Sequence, residues 1–344
     1  MTGHRDRRTI IGFVLVLLSM AAPPAASAAR EHPLQNPDTE QVSQSFGTND
    51  SSTIRSLTVA QLQGLAAQKL NQDIITRLFG PLPQWLQRIE VTGNFDRDGW
   101  RGLEIMTVQP LWRNDSQNKI VFTQLSLTNY RMFDRQRFAG NAGLGYRQLA
   151  LDNQLMLGGN LFYDYEFLRG HQRLGIGFEA KHGPLDFSTN GYLGLNQRSL
   201  GDGSIERVPN GLDVELGTQL PYLPWAKVYG KYYVWDHKLA DKRVRGAQAS
   251  AEANLHRYLS VEGGARHDVG GKTEGFLMLR LKLNRETLPG LLEGAPLLAD
   301  KAFATRDLHQ AMLGKVRREN RIILERSQSL TAGSGLTVTV SRGH

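Results

Sequence analysis

From about Leu86 onward, for some 200 residues, apolar and polar side chains alternate with a period of two. Between Gly211 and Leu220 one face reads Leu212, Val214, Leu216, Thr218 and Leu220, and the other Gly211, Asp213, Glu215, Gly217 and Gln219. Ala247, Ala249, Ala251, Ala253 and Leu255 alternate in the same way with Gly246, Gln248, Ser250, Glu252, Asn254 and His256, and Leu277, Leu279 and Leu281 with Phe276, Met278 and Arg280. A sheet packed in a soluble sandwich alternates too. Two details point elsewhere. The alternating segments are about 10–13 residues long, whereas soluble strands average about 5–6 and about 9–11 tilted residues cross a bilayer. The polar face also carries charges at mid-strand, which cannot meet lipid and must line a wet or plugged lumen. The pattern predicts an all-β chain: a transmembrane, antiparallel, up-and-down β-barrel of about twelve strands.

Those strands are placed near 86–95, 101–112, 119–129, 137–148, 153–166, 172–181, 185–197, 210–220, 225–236, 244–256, 259–268 and 273–284. Short turns at Asn114–Ser116, Leu151–Asn153, His182–Pro184 and Arg257–Tyr258 are expected on the periplasmic side. Longer polar stretches at Tyr130–Gln136, Leu168–Gln172, Arg198–Pro209 and His237–Arg243 are expected outside. Tyr163, Tyr165 and Tyr232 sit near segment ends, where an aromatic girdle meets the headgroups. Inward parity falls on Asp164, Glu179, Asp213, Glu215, Glu252, Glu262, Glu274 and Arg280.

The flanks obey other rules. Arg5, Arg7 and Arg8, an apolar run from Ile10 to Ala22 and the cleavage-like Ala26-Ser27-Ala28 form a signal peptide over residues 1–28. Residues 29–85 are expected to be a flexible periplasmic segment followed by an amphipathic helix, since Leu62, Leu65, Ala66, Leu70, Ile74 and Leu78 recur at helical spacing. Residues 86–285 hold the barrel, and 286–344 a linker or plug, expected to be helical, that threads or caps the pore. Cysteine is absent, so neither disulfides nor thiolate metal sites brace this chain.

A net charge of +8 could suggest nucleic acid. The export signal and the scattered basic residues argue instead for anionic lipopolysaccharide and outer-membrane lipid. Catalysis finds little footing. His267-Asp268 is the best acid–base pair, and Ser250 and His256 share a strand face but lie six residues apart, roughly 20 Å at about 3.4 Å per residue. No G-x-S-x-G, H-E-x-x-H or phosphate loop occurs. No enzyme activity, cofactor or metal is expected.

Particular strings go further than periodicity. Asn141-Ala142-Gly143-Leu144-Gly145-Tyr146-Arg147, Asn160-Leu161-Phe162-Tyr163-Asp164-Tyr165 and Arg169 through Ala180 resemble successive strands of the inverse autotransporter β-domain of intimins and invasins. Asn190-Gly191-Tyr192 and Pro209–Asp213 continue the likeness, and Lys315–Glu325 resembles the segment that links barrel to passenger, so the resemblance spans about 86–326. It implies an outer-membrane barrel with a periplasmic N-terminus, inserted by the barrel assembly machinery with periplasmic chaperones. It also implies a chain that threads back through the pore to display a C-terminal adhesin, which would meet a host or neighbouring-cell ligand. Residues 326–344 are too short for a passenger domain. The alternative is therefore a passengerless channel or scaffold serving a separately encoded surface partner.

The tail leaves two arrangements open. Lys315, Arg317, Arg318 and Arg321 could pair with the lumenal carboxylates and plug the pore. Alternatively, 305–326 forms a solvated periplasmic helix and those carboxylates pair with Arg147, Arg173, Lys227, Arg266 and Arg280.

Overall fold

The computed structural model describes residues 88–282, 290–293, 296–303, 306–327 and, for its main chain, 338–341, all within the unit Leu57–His344. The signal peptide and the amphipathic helix expected over 57–79 lie outside the described residues. Among the described residues, fourteen strands precede the tail: β1 (Ile89–Asp96), β2 (Gly99–Arg113), β3 (Lys119–Met132), β4 (Arg135–Ala150), β5 (Leu155–Glu166), β6 (His171–His182), β7 (Leu185–Gly194), β8 (Gln197–Ser199), β9 (Ile205–Arg207), β10 (Asn210–Leu220), β11 (Leu223–His237), β12 (Lys242–His256), β13 (Leu259–Asp268) and β14 (Thr273–Lys282). The tail adds a one-turn helix α1 (Leu308–Ala311), β15 (Leu324–Ser327) and β16 (Val338–Ser341).

Twelve of these strands, β1–β7 and β10–β14, form a closed antiparallel barrel in up-and-down order. Closure comes from β1 against β14, in register from Glu90↔Lys282 to Asp96↔Phe276. A closed sheet leaves no unpaired edge in the bilayer, where each unsatisfied backbone group would cost several kcal/mol.

The alternation sorts side chains as it does in a membrane barrel. On β5, Met156, Asn160, Phe162, Asp164 and Glu166 are buried inside, while Leu157, Leu161 and Tyr163 are exposed. Ile176, Leu144, Leu212 and Leu216 extend that outer apolar belt. Tyr163 and Tyr232 are on the outer surface, and Tyr165 is half-buried edge-on against Phe167, with ring centroids 5.3 Å apart.

Connections at the rim where β1 begins and β14 ends, the terminal rim, are tight. Leu151, Asp152 and Asn153 all take positive φ, as does Gly183. At the opposite, loop rim the expected long stretches are mostly absent. Tyr130–Gln136 continues β3 into β4 and turns on Phe133 and Asp134 alone, at φ +50° and +57°, the conformation of a two-residue hairpin whose twist matches the strands. Likewise, 237–243 shrinks to a turn between His237 and Lys242. Polar residues there lie in strands that continue to the rim. Only 195–209 is long, and it folds back as the β8–β9 hairpin, so β7 stops at Gly194 rather than 197.

One glycine is demanded by close approach. A Cβ on Gly102 would sit 1.9 Å from the main-chain oxygen of Asn129 in β3. Gly102→Ala must part β2 from β3, and a loss of roughly 3 kcal/mol, the upper end of overpacking costs, is expected. A lower temperature for the heat-modifiability shift on a gel would register it.

Candidate functional site: the filled lumen

The lumen is occupied by the chain's own tail. After a contact layer at the terminal rim, where Tyr222 exchanges main-chain hydrogen bonds with Ala299 and Ala302, residues 306–327 run toward the loop rim. Arg306 pairs with Asp186. Leu308, Met312 and Val316 pack on Val108, Ile120, Phe122, Leu149, Met156 and Phe162 of β2–β5. Ile322 and Leu324 then pack with Tyr130, Met132, Ala139 and Val208, and Ile323 with Tyr192, Tyr233 and Trp235.

The tail is extended, not the expected helix: α1 covers four residues only, with Asp307 as its N-cap. Arg317 and Arg318 show why. Arg317 bonds Glu215 and, at 3.3 Å, Glu262. Arg318 forks onto Asp164 at 2.9 and 2.7 Å on another part of the wall. Adjacent side chains point to opposite sides in extended chain but lie about 100° apart on a helix.

Extended chain away from a sheet needs partners for its own main chain, and the wall supplies them. Arg147 on β4 donates Nε and Nη2 to Glu179, at 2.7 and 3.1 Å, and Nη1 to the carbonyls of Met312 and Gly314, at 2.8 and 2.6 Å. Arg173 on β6 repeats the design. Its Nε donates to Asp164 at 2.8 Å, and its two Nη groups to the carbonyls of Arg321 and Glu319, at 3.1 and 2.6 Å. Asn190, Asn141 and Tyr130 donate to the carbonyls of Arg317, Asn320 and Ile322. The amides of Val316 and Glu319 donate to Gln124 Oε1 and Tyr192 Oη.

The wall carboxylates bond wall and tail cations alike. Glu262 takes Arg280 and Arg317, and Glu252 takes Arg280 and Lys282, at 3.3 and 3.4 Å. Asp213 accepts from Asn190 and Tyr192 rather than from a cation. Lys315 reaches Glu90, and Arg321 turns back onto Glu319 of its own segment at 2.9 Å. Lys227 bonds Asp186 at 3.0 Å. Glu274, only partly buried, pairs with Arg266 at 3.2 Å. Arginine faces also stack on rings: Arg318 over Phe162 at 4.1 Å, Arg317 over Tyr229 at 3.7 Å, and Arg147 over Phe122 at 4.2 Å. A cavity of about 170 Å³ remains between the tail and the far wall, bordered by Thr92, Glu104, Gln248, Met278, Arg317 and Asn320.

Glu206 in β9 meets the tail at the loop rim. Its buried carboxylate accepts from Arg137 at 2.7 Å and from Arg326 of the tail, and lies 3.0 Å from His171 Nε2. Burial pushes this carboxyl up, but His171, Arg326 and Arg137 outweigh it and hold it at about 2, well below the ordinary 4.5. A depressed carboxylate stabilises above its unfolded pKa and loses that contribution as pH falls through its folded pKa. The tail's anchor at the loop rim is thus expected to weaken between pH 4.5 and about 2. A spin label on Ser327→Cys should gain mobility over that window, and should be mobile at every pH when Glu206→Gln is added.

The acid–base candidates are engaged by other side chains. Ser250 Oγ donates to Glu262 at 2.6 Å, His267 pairs with Thr273, and Asp268 accepts from Tyr233. The sequence reading missed the grip of Arg147 and Arg173 on carbonyls, and Glu206 as a hub. The first two lie in the strings that carried the resemblance, and their inward parity on Gly-rich strands was the available signal.

Comparison with known proteins agrees with this architecture. Residues 37–284 match the model of the inverse autotransporter β-domain, reaching farther toward the N-terminus than the resemblance at 86–326 and stopping short of the tail. An attaching and effacing protein homolog of Escherichia coli strain K12 is 29% identical over 182 residues, 50% of this chain and 57% of that protein. The inverse autotransporter adhesin YeeJ of the same strain is 28% identical over 291 residues, 78% of this chain and 12% of the adhesin. The chain thus spans little more than half of the first relative and a small part of the second. A chain solved in work on the in-meso crystallization of membrane proteins superposes with a TM-score of 0.57 at 21% identity, covering 70% of this chain and 99% of that one, a likeness of fold. With a closed twelve-stranded barrel and a family match over well more than half its length, the chain belongs to the inverse autotransporter β-domain family.

Proposed function

We propose that this outer-membrane barrel is a translocator and anchor whose lumen conducts its own C-terminal segment from the periplasmic face to the cell surface. The carrying observation is the run that follows α1 through the lumen, extended and held by wall side chains on its main-chain carbonyls from Met312 to Ile322. Donors aimed at carbonyls accept any residue type, as a conduit for polypeptide requires. On this reading the terminal rim faces the periplasm, the loop rim faces outward, the barrel assembly machinery inserts the chain, and whatever follows the tail serves adhesion.

An epitope tag after His344 tests it. The tag is expected to be labelled on intact cells carrying a heat-modifiable barrel. A folded barrel with no external labelling would sink the export reading and favour a channel or scaffold serving a separate partner.

A further inference from the structure

The four-stranded sheet at the loop rim has the order β16-β15-β9-β8. Its first two strands, β8 and β9, belong to the 195–209 loop and are fixed to the barrel. Its next two belong to the tail, and they are added in the order in which the chain leaves the lumen. We infer that the β8–β9 hairpin is a capture site for extended polypeptide emerging from the pore, with β9 as the receiving edge. The inference rests on the export reading above and assigns that reading a surface-side binding element.

The edge is built for the purpose. β15 pairs antiparallel with β9 at Glu325↔Arg207, Arg326↔Glu206 and Ser327↔Ile205. The Ile205 amide donates to Ser327 Oγ at 3.1 Å, and alternation along a strand turns the Arg207 amide the same way. Strand addition to an open edge draws its affinity from main-chain bonds, so it tolerates many sequences. Side chains fix the register. Buried Glu206 holds Arg326, and the Glu325 carboxylate accepts the amides of Lys238 and Leu239, at 3.1 and 2.9 Å, in the β11–β12 turn. The captured strand is therefore clamped between two barrel loops. Once paired, β15 offers its outer edge to β16, from Leu324↔Ser341 to Ser327↔Val338. Each strand that forms outside makes retreat into the lumen costlier, which favours outward movement.

The test removes the donors of that edge and times export. Ile205→Pro with Arg207→Pro deletes the two amides facing β15 and spares Glu206. With the barrel still heat-modifiable, surface labelling of a tag after His344 is expected to slow by about thirtyfold, the worth of roughly two net hydrogen bonds. Because the native chain has no cysteine, the in-register pair Ile205→Cys with Ser327→Cys gives a second readout that needs no proline. It should cross-link on intact cells, while Ile205→Cys with Leu324→Cys should not. A tag that labels normally in the parent and equally fast in the proline variant overturns the capture site alone, as does failure of the in-register pair to cross-link. A parent tag that never labels overturns the export reading itself.

Discussion

Reversing both central cations of the tail, Arg317→Glu together with Arg318→Glu, is expected to turn a plugged barrel into an open pore. Arg318 is buried and forks onto Asp164, which is fully buried; Arg317 meets Glu215 and Glu262, also buried. Breaking one buried pair costs about 3–5 kcal/mol because the remaining charge stays desolvated and unpaired, and reversal adds repulsion to that loss. Each 1.4 kcal/mol is about a tenfold change in population, so even one such loss lowers tail occupancy by at least about a hundredfold. The barrel wall keeps its own closure, since Arg173 still holds Asp164 and Arg280 still holds Glu262. Single-channel recordings in a planar bilayer should show the parent nearly closed and the double variant conducting steadily. Equal conductance in the two would mean that the tail does not occupy the lumen in the membrane.

The second large effect is expected from Arg147→Ala. That guanidinium bonds Glu179 twice and the carbonyls of Met312 and Gly314 once each, and it lies over Phe122. Its removal strips buried Glu179 of those two bonds and two tail carbonyls of their wall donor, with an expected loss of about 3–5 kcal/mol. Arg147→Lys separates charge from shape. An ammonium keeps the attraction to Glu179, but it lacks the planar fork that reaches a carboxylate and two carbonyls together. The lysine variant should therefore fall between parent and alanine in unfolding temperature, and protease should reach residues 306–316 in both variants. A lysine variant as resistant as the parent would show that the carbonyl bonds contribute nothing.

Much of this molecule is legible in its sequence. Period-two alternation with mid-strand charges is a direct consequence of strand geometry between lipid and a polar lumen, and it located all twelve barrel strands to within a few residues. The long-loop expectation at 130–136 and 237–243 failed because polarity marks exposure to water, not departure from strand conformation: Arg131 and Gln136 are paired residues of β3 and β4.

The lumen was less legible. Parity on each strand says which side chains point inward, and by itself it placed Asp164, Glu179, Asp213, Glu215, Glu252 and Glu262 among the inward-facing candidates. It does not say which inward group lies across from which, because partners such as Arg318 and Asp164 are 154 residues apart and meet only once barrel diameter, strand stagger and tail register are set. For the same reason two arrangements of charge stayed open from sequence, and the folded lumen uses cations of both origins. The tail's conformation was a tertiary decision too. Lys315–Glu325 has no strong helix breaker, yet it is drawn out because wall donors from β3, β4, β6 and β7 are spaced along the bore and satisfy an extended main chain. Sequence periodicity determined the barrel; only closure of that barrel around its own tail decided which residues grip it, since a grip is a coincidence of distant segments that no local pattern encodes.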